Sequence, residues 1–207
     1  MRHNIHLEGF NLRLRPVRVE DAGFIVWLRG LNFVRGNVGD SATDVAAQEA
    51  WLKAYFEREG DYYWIVESSG GIPLGTHGIY NVNGGSAERG RHIMRPEVMA
   101  GVPSATLTAD LAFGSMGLHE LRSWVVATNQ EVLSIHRKSG FKEVGRVTAA
   151  QMIDGRPVDK VEFLFTAEAW RKRRDGVLPL ARFAGKQVLE WETMQHGKRQ
   201  PWEGTGH

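Results

Sequence analysis

The sequence predicts an α/β protein with a mixed, mostly antiparallel central sheet of about seven strands and helices on both faces. Three observations predict it. β-rich runs separated by turn residues fill positions 62–94, and strand and helix patterns alternate from 105 to 165. Hydrophobic residues make up 42% of the 207 and aromatics 10%, enough to bury a core. Consecutive strands followed by strands alternating with helices fit a sheet covered on both sides.

Each element has its own signal. Residues 10–15 alternate apolar and polar, a half-buried strand that Pro16 ends. Glu20-Asp21 opens a short helix carried by Phe24, Ile25, Trp27 and Leu28, and residues 30–39 read as a loop. A second helix spans 41–59, with Ser41 or Thr43 as cap and Trp51, Leu52, Tyr55 and Phe56 at helical spacing. Residues 62–67, 74–82 and 87–94 form a meander, turning at Ser68-Ser-Gly-Gly71 and Asn83-Gly-Gly85. Helix 105–116, strand 123–128, helix 131–139 and strands 141–147 and 158–165 follow. Beyond Thr166 the chain reads as a charged helix to Arg174, broken at Gly176 and Pro179 and resumed over 180–194. The tail 197–207, polar and Gly-rich, reads as frayed. This divides the chain into a domain at 1–175 and a partly helical extension at 176–207, which either docks back or joins two copies as a homodimer.

Composition excludes several classes of function. With no cysteine there is no disulfide scaffold, thiolate metal site or cysteine nucleophile. The eight histidines show no zinc-binding spacing, so no metal is expected. Lys and Arg number 26 against 24 acidic residues, too even a balance for a nucleic-acid partner. The tract Trp170-Arg-Lys-Arg-Arg174 reads as the solvated end of a helix. Residues 1–15 have no apolar core of a signal peptide, and no apolar run is long enough to span a bilayer. The expectation is a cytoplasmic protein without a membrane partner.

Two segments carry the chemistry. Residues 95–103 link a strand to a helix beginning near Ser104, and helix N-termini seat pyrophosphates. Gly101 lets the backbone approach such a group. The second segment is Asn129-Gln-Glu-Val-Leu-Ser-Ile-His-Arg-Lys-Ser-Gly-Phe141, an Asn at a strand end, a helix, a Gly cap and a new strand. Here the sequence resembles the GNAT N-acetyltransferases, whose signature is Asn, two residues, an apolar run, Tyr or His, two residues ending in Lys, then Gly-Phe. The likeness extends over about residues 10–165. The stretches at 48–59, 61–67, 75–82 and 87–91 look like the branch that acetylates nucleotide-linked amino sugars, and the RimJ/RimL-like enzymes share the outline.

The resemblance implies the GNAT fold, with a splayed central strand pair, and acetyl-CoA as co-substrate between strands ending at Met94 and Thr128. It assigns Ile93 and Met94 to the pantetheine and Gly101, Val102, Ser104 and Ala105 to the pyrophosphate. Asn129 would contact the cofactor, with strand-end turn former as its plain reading. His136 stands where the family carries the Tyr that protonates the leaving thiolate; otherwise it is a packed helix histidine. Glu88 is the candidate base, against a surface carboxylate paired with Arg89 or Arg91. His77 and Tyr80 would face the same cleft, with His77 the second candidate base. Arg35 and Asn37 lie in the loop bordering the acceptor, where an Arg either grips a phosphate or is solvated. One departure matters: the phosphate loop reads Ala100 to Ala105 with Val102-Pro103 at its centre, and Pro103 removes an N–H donor.

Three functions follow. The first is acetyl transfer to the amino group of a nucleotide-linked sugar. The second is acetylation of a protein N-terminus or small amine. The third, which the altered loop keeps open, is a non-catalytic acyl-CoA-binding or interaction domain.

Overall fold

The structure is a computed structural model, and it describes residues 3–38, 44–153 and 155–203. The strands are β1 (Leu7–Gly9), β2 (Leu12–Pro16), β3 (Tyr62–Ser68), β4 (Pro73–Asn83), β5 (Ser86–Met94), β6 (Glu120–Val126), β7 (Lys142–Ile153) and β8 (Arg156–Thr166). The helices are α1 (Ala22–Arg29), α2 (Val45–Tyr55), α3 (Gly101–Asp110), α4 (Gln130–Lys138) and α5 (Ala167–Gln195). All eight strands join one sheet in the order β1-β2-β3-β4-β5-β6-β8-β7. The strand beyond the expected seven is β1, three residues long and too short to show a period. It turns into β2 through Phe10 and Asn11, both at positive φ (54° and 58°).

Alternation along the strands builds two core layers. Trp64, Val66, Leu74, Ile79, Ala87 and Leu121 pack with Leu111, Ala112, Val188 and Trp191, on the side of α3 and α5. Tyr63, Ile65 and Ile93 pack with Phe24, Ile25, Leu28, Leu52 and Tyr55, on the side of α1 and α2. Arg15 bridges Asp21 and Glu67, tying β2, β3 and the start of α1 together. A third cluster, Val125, Leu133, Val161 and Phe163, seats α4 on β6 and β8.

Four local expectations change. The expected caps Ser41 and Thr43 lie outside the described residues; Asp44 caps α2, its carboxylate accepting from the Ala47 N–H at 2.8 Å. Helix α3 begins at Gly101, not near Ser104, and its end opens into a π-helical turn over Leu111–Ser115. Pro103 is the third helical residue, where its missing N–H breaks no helical bond. Helix α5 runs without a break through Gly176 and Pro179, so position 175/176 falls inside it. Burial of Ala181, Ala184, Gly185, Val188 and Trp191 outweighs the one bond Pro179 forfeits. The tail to Glu203 is docked rather than frayed: Trp202 packs on Phe24 and Trp27, with ring centroids 4.7 and 4.9 Å away.

Candidate active site

β5 and β6 pair in parallel through Ser86↔Glu120, Ala87↔Leu121 and Glu88↔Arg122, and their ladder ends there. Beyond Glu88 the strands part, and the β6-facing backbone of β5 has no strand partner among the described residues. One face of β5 is repositioned by a bulge. Gly78 pairs with Gly90 and Thr76 with Ile93, which leaves one extra residue on β5, and Arg91 takes φ 50° there. Ile93 and Met94 lie past the bulge, paired to Thr76 and Gly75.

The N-terminus of α3 meets this wedge. The Ser104 N–H bonds Ala100 O, and its hydroxyl donates to Gly101 O. Ala105 is already inside the helical ladder. With Pro103 lacking an N–H, the donors that can meet an anion are the backbone groups of Gly101 and Val102. A methyl on Gly101 would meet nothing closer than His92 Cε1 at 4.0 Å, so this end is open to a ligand. The residues present fit a diphosphate, with one donor fewer than a proline-free turn.

The two faces of β4 and β5 carry different chemistry. His77 and Tyr80 do not share a cleft, because alternation puts them on opposite faces. Tyr80 pairs with Glu88 on the α1/α2 side, and its phenol is pushed up to about 12 by burial and by the Glu88 charge. Glu88 accepts from Asn81 Nδ2 at 2.8 Å and forms no ion pair with Arg89 or Arg91 among the described residues. Arg91 binds Asp61 through both oxygens, one at 2.9 Å, and lies 4.5 Å over Tyr80, 5.0 Å over Tyr63 and 5.3 Å over Trp51. Arg29 is lowered by burial first and then by the nearby Arg91 charge, and it lies close to the neutral Tyr63 phenol. Arg35 folds back over Gly30, and the Asn37 amide donates to Phe33 O at 3.2 Å. No direct contact joins either to Glu88 or Tyr80 among the described residues.

The α3-side face holds a hydrogen-bonded row. His77 is fully buried and accepts the Arg89 Nε–H at 3.2 Å on its Nε2. Arg89 Nη2 donates to His92 Nδ1 at 2.9 Å, and His92 Nε2 meets the Ser104 hydroxyl at 3.2 Å. Since Ser104 donates to Gly101 O, His92 carries its proton on Nε2 and accepts on Nδ1. The Arg89 guanidinium lies 5.5 Å from the Phe141 ring, so its side chain crosses from β5 to the α4–β7 junction. Among the described residues no carboxylate pairs with it, and burial lowers it to about 10, still charged at neutral pH.

On α4, Asn129 caps the helix, its Oδ1 accepting from the Val132 N–H at 3.2 Å. His136 Nδ1 donates to Val132 O at 3.0 Å, and its ring packs on Phe141 and Phe163. Burial and then the Arg89 charge bring it down to about 4, so it rests neutral, with Nε2 an unprotonated acceptor. Burial first, then neighbouring charges, also lowers His77 and His92.

The structure thus brings Glu88 and Tyr80 together on one face, and His77 and Ser104 together on the other. Arg89 and Arg91 entered the sequence reading only as ion-pair partners for Glu88, and His92 and Asp61 had no site role in it. Their signal was Arg89-Gly-Arg-His92, four residues without an aliphatic side chain inside an internal strand.

Among the described residues no group of His, Asp or Glu could hold a metal, and no helix is long and apolar enough to cross a membrane. No curated protein matches the chain. Among solved structures, a nucleotide-linked sugar GNAT named FdhC, in its apo form, is 25% identical with TM-score 0.70, covering 88% of this chain and 99% of its own. A spermidine N-acetyltransferase SpeG variant from Vibrio cholerae is 19% identical, TM-score 0.68, covering 80% and 99%. A GCN5-related N-acetyltransferase from Brucella melitensis is 16% identical, TM-score 0.74, covering 92% and 95%. The model of the acetyltransferase (GNAT) domain matches residues 11–142. A splayed parallel strand pair, a helix N-terminus open beside it and that domain match together place the chain in the GNAT acetyltransferase family, as an N-acetyltransferase whose co-substrate by family is acetyl-CoA.

Proposed function

We propose that the enzyme transfers the acetyl group of acetyl-CoA to the amino group of a nucleotide-linked amino sugar. The observation that carries this reading is the charge of the acceptor face. Arg29, Arg58 and Arg91 outnumber the Asp61 and Glu88 carboxylates there, Asp61 is engaged by Arg91, and the half-buried rings of Trp51 and Tyr80 lie beside them. A polyamine would meet like charge, whereas a sugar carrying a diphosphate and a base meets arginines and aromatic rings. The likeness to a nucleotide-linked sugar GNAT supports the same substrate class.

The ligand would enter the wedge with its diphosphate at Gly101 and Val102 and its pantetheine along Ile93 and Met94. Asn129, with its Oδ1 on the cap, has its amide NH2 left to offer the cofactor. Glu88, at the last paired position, takes the proton of the attacking amine directly or through one water. Transfer is direct, and holding both substrates in attack geometry supplies much of the rate.

Calorimetry with acetyl-CoA and with CoA comes first, and micromolar binding, about −8 kcal/mol, is expected. Steady-state assays then set nucleotide-linked amino sugars against spermidine and peptides. The sugars should win in kcat/KM by at least about 100-fold, about 2.7 kcal/mol, and Glu88→Gln should cut kcat by about 10²–10⁴. Preference for spermidine or peptides would refute the substrate class, and absence of CoA binding would refute acetyl transfer.

A further inference from the structure

The reading of acyl transfer leaves Arg89 without a task, and its surroundings are unusual. The guanidinium is charged, sits among His77, His92, His136 and Phe141, and has no carboxylate beside it among the described residues. Two of its five N–H groups are taken, by His77 Nε2 and His92 Nδ1, both neutral acceptors. His77 Nδ1, fully buried, has no hydrogen-bond partner among the described residues. A half-buried cation whose hydrogen-bond partners are all neutral is a site prepared for an anion.

Position selects the anion. Pairing of β5 with β6 stops at Glu88, so Arg89 is the first residue inside the wedge, at its closed end. The first turn of α3 is joined to it through His92 and Ser104, farther along β5. A ligand with its diphosphate at that turn and its chain along β5 brings its thioester, not a phosphate, to Arg89.

We propose that Arg89 is a further catalytic residue, the cation that receives the departing CoA thiolate. The inference rests on the acetyl-transfer reading above. In the step, the amine nitrogen bonds to the carbonyl carbon, the C–S bond breaks, and its electron pair stays on sulfur beside Arg89. The amine proton passes to Glu88 or water. The new negative charge offsets the field of Arg89 on His136, whose bare Nε2 then takes a proton from solvent and passes it to sulfur. Arg89 thereby explains how a histidine that rests neutral serves a leaving group.

The test uses the full chain and three proteins: native, Arg89→Met and Arg89→Lys. Each is titrated with CoA and with desulfo-CoA by calorimetry, and the bound CoA thiol is titrated by its thiolate ultraviolet absorbance. In the native complex the thiol should ionise about one to three pH units below its value in the Met variant, with Lys between them. Desulfo-CoA should bind all three within about threefold, while kcat in the Met variant falls by about 10²–10³. Unchanged thiol ionisation would overturn the assignment. So would a tenfold or greater loss with CoA and desulfo-CoA alike, which would make Arg89 a phosphate ligand. If the native protein binds neither, acetyl transfer and the role of Arg89 fall together, whereas the first two results remove the role of Arg89 alone.

Discussion

At the scale of single residues, three histidines and an arginine share one patch, and the histidines rest neutral. His136 is brought down to about 4, and His77 and His92 are lowered well below their ordinary value. Below pH 6.5 the unfolded chain protonates these rings while the folded chain does not. The unfolded state therefore binds more protons, and stability falls as pH drops from 6.5 towards 4. For His136 the full effect is about 3 kcal/mol, taking about 1.4 kcal/mol per pH unit. Thermal denaturation between pH 4.5 and 7.5 should thus show a steeper acid loss in the native protein than in His136→Gln. Parallel curves would mean that His136 titrates normally. Glycine matters at the same scale on β4. A methyl on Gly75 would overlap the Ile93 carbonyl and the Met94 side chain. Gly75→Ala should displace the strand segment assigned to the pantetheine, raising the acetyl-CoA Kd by about tenfold, about 1.4 kcal/mol.

At the scale of elements, α5 departs furthest from its sequence signal, since Gly176 and Pro179 ordinarily end helices. What holds it is packing that local pattern cannot display. A methyl on Gly185 would overlap the Phe10 carbonyl, and Asn11 Nδ2 donates to Gly185 O at 3.1 Å, so the β1–β2 turn is seated on the helix. Gly185→Ala should cost about 1–3 kcal/mol and lower Tm by about 2–12 °C. Pro179→Ala should instead stabilise by about 2–2.5 kcal/mol, because relief of about 3 kcal/mol in the helix is offset by about 0.4–1 kcal/mol from a freer unfolded chain. A lower Tm in that variant would show that the seat of α5 needs the proline. The same contrast explains what was legible. Strands β2 to β8 and helices α1 to α4 each overlap a segment marked by β-rich runs, turn residues or apolar spacing, and Asn129 to Phe141 marks α4 through its apolar residues and the Gly140 cap. The site was half legible. The α3 turn and α4 carry motifs, but the sorting of His77 and Tyr80 onto opposite faces depends on strand pairing. The extra residue at Arg91 comes from register, which no single strand encodes.

At the scale of the molecule, one residue connects the outer layers to the wedge. Arg95 follows β5 directly, is 5% exposed, and its N–H bonds Leu74 O at 2.8 Å. Its guanidinium lies 4.8 Å from the ring of Trp191 on α5, 5.3 Å from Trp27 on α1 and 5.2 Å from Trp202 on the tail. It also donates to Gln200 Oε1 at 2.8 Å and pairs with Glu97, inside the segment that leads into α3. The tail thus clamps the residue that aims the first turn of α3 at the wedge. Truncation after His196 would remove two of these contacts and expose Phe24 and Trp27. It should cost about 2–4 kcal/mol, since a deleted buried tryptophan alone costs about 3–5 and this one is partly exposed. It should also weaken acetyl-CoA by about tenfold, because Gly101 and Val102 are carried by the loosened segment. Trp202→Ala, which keeps Gln200 on Arg95, should lose stability but less affinity. Denaturation and calorimetry on the two variants separate the effects: equal affinity losses would assign the clamp to the tryptophan, and a larger loss on truncation would assign it to the hydrogen bond that holds Arg95 in place.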